Sequence, residues 1–310
     1  MDVVAVINYK GGVGKTTTTA NLAAELAWRG RRVLVLDLDA QASLTFSFIT
    51  PDFWQRNLSH ERTIKAWFDS FSSGDPMSLG SLIVQPSKVK ERLNGQGEIH
   101  LIPSHLGLIN VDLELATELG GASMKQAKAN FLKVHRRLAE GITGMGQNDF
   151  DLVLIDCPPN FNIVTKTAIV ASDRVLIPAK PDYLSTLGID YLIRNLNELV
   201  SDYNEYATFD KKKIEATISP KVMGVLFTMI QIRNGQPIST QRPYIARTRE
   251  LGVPVFDSWI RENKTLFSDA PEYGVPVVLT PWSGKTYKGV LEELEQFVSE
   301  FERLVGLAEE

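Results

Sequence analysis

Apolar residues along this chain fall into short, nearly continuous runs separated by longer stretches with helical spacing. Val3 to Ile7, Arg32 to Leu36, Glu98 to Pro103, Asp151 to Asp156, Asp173 to Pro178 and Lys221 to Met229 carry few internal polar positions. Strands buried on both faces have this pattern, because neither side of the pleat meets water. Between the runs, apolar residues recur at three- and four-residue spacing over Thr18 to Trp28, Thr63 to Phe71, Leu106 to Leu119, Met124 to Glu140, about Ser185 to Val200, and Val290 to Leu307. Those stretches predict helices with one buried face, and a further helix is predicted from near Pro237. Strands alternating with helices predict an α/β fold: a doubly wound, mostly parallel sheet flanked by helices.

From Phe46 to Gly97 the pattern weakens, with turn signals at Thr50-Pro51-Asp52 and Ser72-Ser73-Gly74-Asp75-Pro76. Trp54, Trp67, Phe68 and Phe71 are expected to form a satellite core there and to carry no chemistry. With 310 residues, 44% hydrophobic content and no low-complexity linker, one domain spanning residues 1–310 is expected, with a variable segment at about 46–97.

Composition then removes several classes of function. The net charge of −4 gives the whole molecule no attraction to nucleic acid, so any such contact needs a local basic face. A single cysteine, Cys157, excludes a disulfide framework within this chain, and no histidine lies near it in sequence to make it a nucleophile. His60, His100, His105 and His135 lack zinc-ligand spacing, so no structural metal is expected. A strand begins within three residues of Met1 and no apolar run approaches ~20 residues, so neither signal peptide nor membrane span is expected and the cytoplasm follows.

The chemistry concentrates in Asn8-Tyr9-Lys10-Gly11-Gly12-Val13-Gly14-Lys15-Thr16-Thr17, between the first strand and the first helix. Strand, glycine turn and helix N-terminus in that order make an anion cradle, because backbone N–H groups point inward and the helix dipole favours negative charge. Phosphate is the natural occupant, with Lys15 on its terminal groups and the Thr16 hydroxyl on a bridging magnesium ion. The second run delivers Asp37 and Asp39 to its carboxyl end, where alternation puts both on one side. They suit magnesium and water, or else cap the next helix. Asp156, closing the fourth run, is the further acid that a phosphate-loop ATPase needs for its metal.

The position six residues before Lys15 holds Tyr9 where the ordinary loop has glycine, and Lys10 stands directly before paired glycines. This resembles the deviant phosphate loop of the ParA/MinD family of ATPases, and ParA/Soj-type proteins in particular. Asp37-Leu38-Asp39-Ala40-Gln41 is similar to that family's Asp-x-Asp-Pro-Gln segment with Ala40 for proline, and Asp156-Cys157-Pro158-Pro159 to its Asp-Cys/Thr-Pro-Pro turn. The resemblance runs from Val3 to about Phe301. It implies ATP and Mg2+ as cofactors, with Thr16, Asp37 and Asp156 around the metal and Lys10, Lys15 and Asp39 in hydrolysis. By the same resemblance Gly11, Gly12, Val13, Gly14, Thr17, Pro158, Met229, Arg261 and Glu262 contact the nucleotide. Ser258 to Asn263, Ser268 to Pro271 and Tyr273 to Pro276 resemble the segment that packs the adenine ring.

The family further implies a homodimer closed over two ATP molecules, with Lys10 reaching the partner's nucleotide and the Pro181-Asp182 loop at the interface. It implies slow intrinsic turnover, a ParB-like activator, and double-stranded DNA held without sequence preference through basic residues in the carboxyl-terminal third. Arg233, Arg242, Arg247 and Arg249 occupy the most basic part of the chain and are the candidates, while Lys211-Lys212-Lys213 reads as a solvated loop tip. A MinD-like membrane cycle is disfavoured, because the final helix is acidic, with Glu292, Glu293, Glu295, Glu300 and Glu302. One cysteine is too few for the nitrogenase iron protein, and the carboxyl-terminal tyrosine cluster of the related tyrosine kinases is absent. Positioning of cargo other than DNA would use the same residues and stays open.

Overall fold

A computed structural model describes residues 1–146, 149–210 and 214–307, with backbone only at 268–271. Its strands are β1 Asp2–Val6, β2 Arg32–Asp37, β3 Glu98–Ile102, β4 Leu152–Asp156, β5 Arg174–Ala179, β6 Lys221–Ile230, β7 Ile232–Arg233, β8 Gln236–Pro237 and β9 Val255–Arg261. Its helices, in chain order, are α1 Lys15–Trp28, α2 Ser43–Phe48, α3 Pro51–Asn57, α4 Ile64–Ser73, α5 Ser87–Leu93, α6 Val111–Glu118, α7 Met124–His135, α8 Arg137–Thr143, α9 Ile163–Val170, α10 Tyr183–Phe209, α11 Arg242–Glu250, α12 Lys264–Tyr273 and α13 Lys285–Val305.

Seven strands form one sheet in the order β3-β2-β4-β1-β5-β6-β9, and each neighbouring pair is parallel. Parallel neighbours need crossovers, and these helices place cover on both faces, which is the doubly wound arrangement expected. Along β1 and β2 successive residues alternate between two cores: Val4, Val6, Val33 and Val35 face α1 and α13, whereas Val3, Ala5, Leu34 and Leu36 face α4, α8, α9 and α10. Register puts Asp37 beside Asp156, so the two strand-end acids are brought to the same edge by pairing alone.

Several boundaries differ from the sequence expectation. The first helix starts at Lys15, before Thr18, because Gly14 at φ 80° forms its N-cap and packing of Thr18 and Thr19 outweighs weak propensity. The stretch Leu106 to Leu119 is a 3-10 turn, Leu106–Asn110, followed by α6; His105 Nδ1 accepts the Gly107 N–H at 2.9 Å and sets the tighter start. Met124 to Glu140 breaks at Arg136 into α7 and α8, while α10 runs on past Val200 to Phe209. Pro237 begins no helix: it pairs with Ile232 in the β7–β8 hairpin, and α11 starts at Arg242. The final helix starts at Lys285, five residues before Val290, with its polar first turn.

Within 46–97, α3 and α5 join the expected α4. Trp67 and Phe68 are buried together and Phe71 meets Trp67 edge-on, but Trp54 packs on the opposite side of the sheet, against Phe46. The four aromatics therefore serve two cores. Lys211 to Lys213 lie outside the described residues.

Phe297 in α13 has no exposed surface and meets Phe256 of β9 and Phe301 edge-on, at 5.6 and 6.3 Å between centroids. Phe297→Ala removes a large side chain from a site that cannot collapse around it, so it should lower unfolding free energy by about 3–5 kcal/mol, measured by urea denaturation.

Candidate functional site

The loop after β1 turns on two glycines in the left-handed region, Gly12 at φ 66° and Gly14 at φ 80°. Gly14 caps α1 without a side-chain hydrogen bond, so the first N–H groups of the helix are left for an outside acceptor. They border a cavity of about 390 Å³ with Gly11, Gly12, Gly14, Lys15, Thr16 and Thr17 on one wall. Asp39, Gln41, Ser43, Ser47, Pro159, Met229, Phe267, Pro276 and Val277 also line it.

At the base of the cavity the charges are packed tightly. Lys15 is 6% exposed and its Nζ donates to the Lys10 carbonyl at 3.3 Å; burial pulls its pKa down, against the pull upward of Asp156 and Asp39. Thr16 Oγ1 donates to Asp156 at 2.7 Å and Thr19 Oγ1 at 3.4 Å. Burial lifts the Asp156 carboxyl to about 7 despite the Thr16 hydrogen bond and the charge of Lys15. Burial, and then the charge of Asp156, lift Asp37 to about 8.

Asp37 also accepts the Thr45 N–H at 2.8 Å and Oγ1–H at 2.7 Å, together with the Asp39 N–H at 3.1 Å. Asp37 thus serves the first turn of α2 through Thr45, although the N-cap position itself is Ala42. Asp39 differs: its side chain accepts the Gln41 N–H at 3.0 Å and it lines the cavity. Two buried carboxylates beside a hydroxyl, both pushed toward the neutral form by burial, fit a hard divalent cation with oxygen ligands.

Lys10 points away from this cavity. Its Nζ donates to both oxygens of Asp182 at 2.9 and 2.7 Å and to Ser185 Oγ at 3.3 Å. Asp182 is at once the N-cap of α10, accepting the Ser185 N–H at 2.8 Å. Burial would raise the Asp182 carboxyl, but hydrogen bonds from Lys10 and Ser185 outweigh it and hold it below the usual range. Beside this contact Tyr183, Leu184, Leu187 and Tyr191 are each more than half exposed on the start of α10, and Tyr9 packs on Tyr191 and Phe161.

A second opening of about 600 Å³ adjoins the first and shares Gly14, Thr17, Met229 and Phe267 with it; Thr228, Ile260, Arg261, Glu262 and Asn263 complete its walls. The base-contact candidates Met229, Arg261 and Glu262 all line it. The Arg261 guanidinium is turned onto α13, with Glu293 at 2.8 and 2.7 Å, so it braces the wall and does not project as a free donor.

Pro158 is buried, and Pro159 is the proline that lines the cavity. Val13 has no exposure, and its carbonyl accepts from Thr228 Oγ1 at 2.7 Å. Side chains of 268–271 lie outside the described residues.

The DNA candidates are exposed but not coplanar. Arg233 is in the β7–β8 hairpin; Arg242 and Arg249 are seven residues apart on α11 and share a face. Arg247 lies about 140° round the same helix from Arg242 at 3.6 residues per turn. Gln41, Ser43, Ser47 and Phe267 also line the cavity, outside the set of residues expected from the sequence. The signal that could have found the first two is the polar pair Gln41-x-Ser43 directly after Asp39.

A parallel sheet whose first strand feeds a glycine turn, a buried lysine and a helix N-terminus, with acids at neighbouring strand ends, defines a phosphate-loop nucleotide-binding NTPase. Residues 1–209 match the family described as AAA domain, and the chain belongs to it, within the ParA/MinD superfamily of ATPases. The chromosome partitioning protein ParA of Caulobacter vibrioides is 28% identical over 280 residues, 89% of this chain and 86% of that protein. A Cyanothece McdA variant in complex with ATP superposes with TM-score 0.70 at 18% identity, over 100% of this chain and 98% of that one. Cobyrinic acid a,c-diamide synthase from Mycobacterium smegmatis, with an ATP analogue and magnesium bound, gives TM-score 0.61 at 24% identity, covering 88% and 93%.

Folded-state pKa values raised to about 8 and about 7 from 3.8 mean that the folded chain binds more protons than the unfolded one between those values. Stability of the nucleotide-free protein should therefore be full below pH 3.8 as far as these two groups are concerned, and fall as pH rises toward 8. Asp37→Asn should flatten that fall; thermal unfolding across the window, with and without the substitution, measures it.

Proposed function

We propose that this chain hydrolyses ATP as a homodimer, binds double-stranded DNA without sequence preference in that state, and partitions or positions DNA cargo under control of a ParB-like activator. In this reading it is one ATPase unit spanning residues 1–310, works in the cytoplasm and is recruited to the nucleoid with ATP. Among the described residues no helix is long and apolar enough to cross a membrane, and α13 presents glutamates, which argues against lipid recruitment. The observation that carries the proposal is the second lysine: Lys10 stands next to the cradle, and its ammonium is held outside it, beside an exposed apolar face.

Within one site, the α1 N-terminus and Lys15 would hold the terminal phosphates, while Asp39, which lines the same cavity, would align the attacking water. Thr16 and Asp156 would hold Mg2+, with Asp37 supporting from the strand alongside. When bound, the ion supplies charge neutralisation between the phosphates. The side chains of Lys10 and Asp182 are 35% and 41% exposed. A pair so open to water contributes about 0.2–1 kcal/mol. So weak a tie lets Lys10 leave Asp182 once a second copy covers Tyr183, Leu184, Leu187 and Tyr191.

Cargo other than DNA is a second reading, favoured by the net charge of −4.

Lys15→Ala should weaken ATP binding about 100-fold, since it removes a buried charge-assisted donor. Lys10→Ala should bind ATP yet stay monomeric and inactive, and Asp39→Ala should accumulate as the ATP dimer. Size-exclusion chromatography with ATP reads all three, and undiminished dimerisation by Lys10→Ala would count against the crossed lysine.

Charge reversal of Arg242, Arg247 and Arg249 together should cut DNA retention by the ATP form at least about tenfold at fixed salt, with dimerisation intact. Equal retention would favour the second reading.

A further inference from the structure

Met229 is a non-glycine residue at positive φ, 53°, inside a strand. An L-residue there is strained, since its Cβ crowds the backbone, and such conformations persist only where neighbours impose them. The pairing of β6 with β9 slips between Phe227 and Ile230, which is where the strained residue falls. Its side chain borders both the phosphate cradle and the adjoining pocket.

One side chain bridges the backbone on the C-terminal side of this residue, from the Met229 carbonyl to the Gln231 N–H. Gln241 Nε2 donates to the Met229 carbonyl at 3.3 Å, and Gln241 Oε1 accepts the Gln231 N–H at 2.9 Å. The amide orientation is dictated, since one partner is an acceptor and the other a donor. Gln231 in turn donates to Glu262 at 2.9 Å on the far wall of the pocket. On its other flank Met229 follows Thr228, which is tied to the loop carbonyl of Val13.

Gln241 belongs as much to α11 as to the pocket. It immediately precedes Arg242, and its carbonyl accepts the N–H groups of Tyr244 and Ile245 at 3.2 and 3.3 Å, so its backbone is the first turn of the basic helix. A displacement of the Met229 backbone by a ligand changes its hydrogen bond to the Gln241 amide, whose other end is tied to the Gln231 N–H and whose backbone caps α11.

We propose that Gln241 is a positioning residue that clamps Met229 in its left-handed conformation and thereby couples occupancy of the nucleotide pocket to the start of α11. The inference rests on the reading of that pocket as the nucleotide's base site. By linkage the coupling runs both ways: whatever α11 binds must alter nucleotide affinity by the factor with which nucleotide alters α11.

The test uses the full chain, a fluorescent ATP analogue and magnesium, and compares the unsubstituted protein with Gln241→Ala, Met229→Gly and the double variant. Glycine adopts positive φ without strain, so the clamp has nothing to hold once residue 229 is glycine. Gln241→Ala should weaken the analogue about fivefold in the unsubstituted background and by less than about twofold in the Met229→Gly background. Hydrogen exchange should show nucleotide-dependent protection of the α11 amides in the unsubstituted chain and none in Gln241→Ala. Equal weakening in both backgrounds, or the same α11 response with and without Gln241, would overturn the coupling. Failure of the unsubstituted chain to bind the analogue would overturn the base-site reading and this inference together. Binding with a Gln241-dependent α11 response but no DNA retention would sustain this inference and overturn only the DNA reading.

Discussion

Two carboxylates lie side by side where parallel pairing puts Asp37 next to Asp156, and both are fully withdrawn from solvent. Burying one charge is costly, and burying two of the same sign in register is worse unless something positive joins them. Lys15 supplies part of the answer, but its own ammonium is pulled toward neutrality by the same burial. Both acids are thus lifted toward neutral pH, to about 8 and about 7. The chain holds this arrangement because backbone geometry imposes it: the sheet fixes the strand ends, and Thr45 and Thr16 satisfy the oxygens. The site is poised for added positive charge, which then brings anionic phosphate onto the helix N-terminus above it.

That constraint explains why the rest of the site is arranged in layers around the glycine turn. Thr228 Oγ1 donates to the Val13 carbonyl, and the turn is therefore fastened to β6 as well as to its own strand. Lys10, at the start of the same turn, reaches α10 through its exposed ion pair with Asp182. The glycine turn, the pocket beside it and the exposed start of α10 thus meet at one short segment.

Much of this was legible because it depends on residue type at fixed spacing. Glycines at 12 and 14 take positive φ without strain, and Lys15-Thr16 must follow immediately to sit on the first turn of α1. The acids were legible from the carboxyl ends of apolar runs. What escaped was decided by tertiary partners far along the chain. Arg261 lines the pocket as expected, but the pairing of its guanidinium with Glu293, 32 residues away on α13, could not be read from spacing. Pro158 and Pro159 are indistinguishable by type, and only the bend of the turn decides which faces Gly11. β9 went unnoticed because it is an edge strand with polar Asp257 and Ser258, whose N–H groups are capped by Glu300 at 2.9 Å.

The basic helix bears on how a molecule of net charge −4 could hold DNA at all. Arg242 and Arg249 share one face of α11, and Arg247 lies well round from it, so a single copy can set only two of these three guanidinium groups along one phosphate track. Two or three phosphate contacts give weak, salt-sensitive binding, against the repulsion of the surrounding negative charge. Two copies held together present two such faces, and the second engagement becomes intramolecular, so affinity rises by orders of magnitude with no new kind of contact. On the proposed reading, a helix too weak to bind alone is therefore an advantage: retention on DNA would follow dimerisation, and dimerisation would follow ATP.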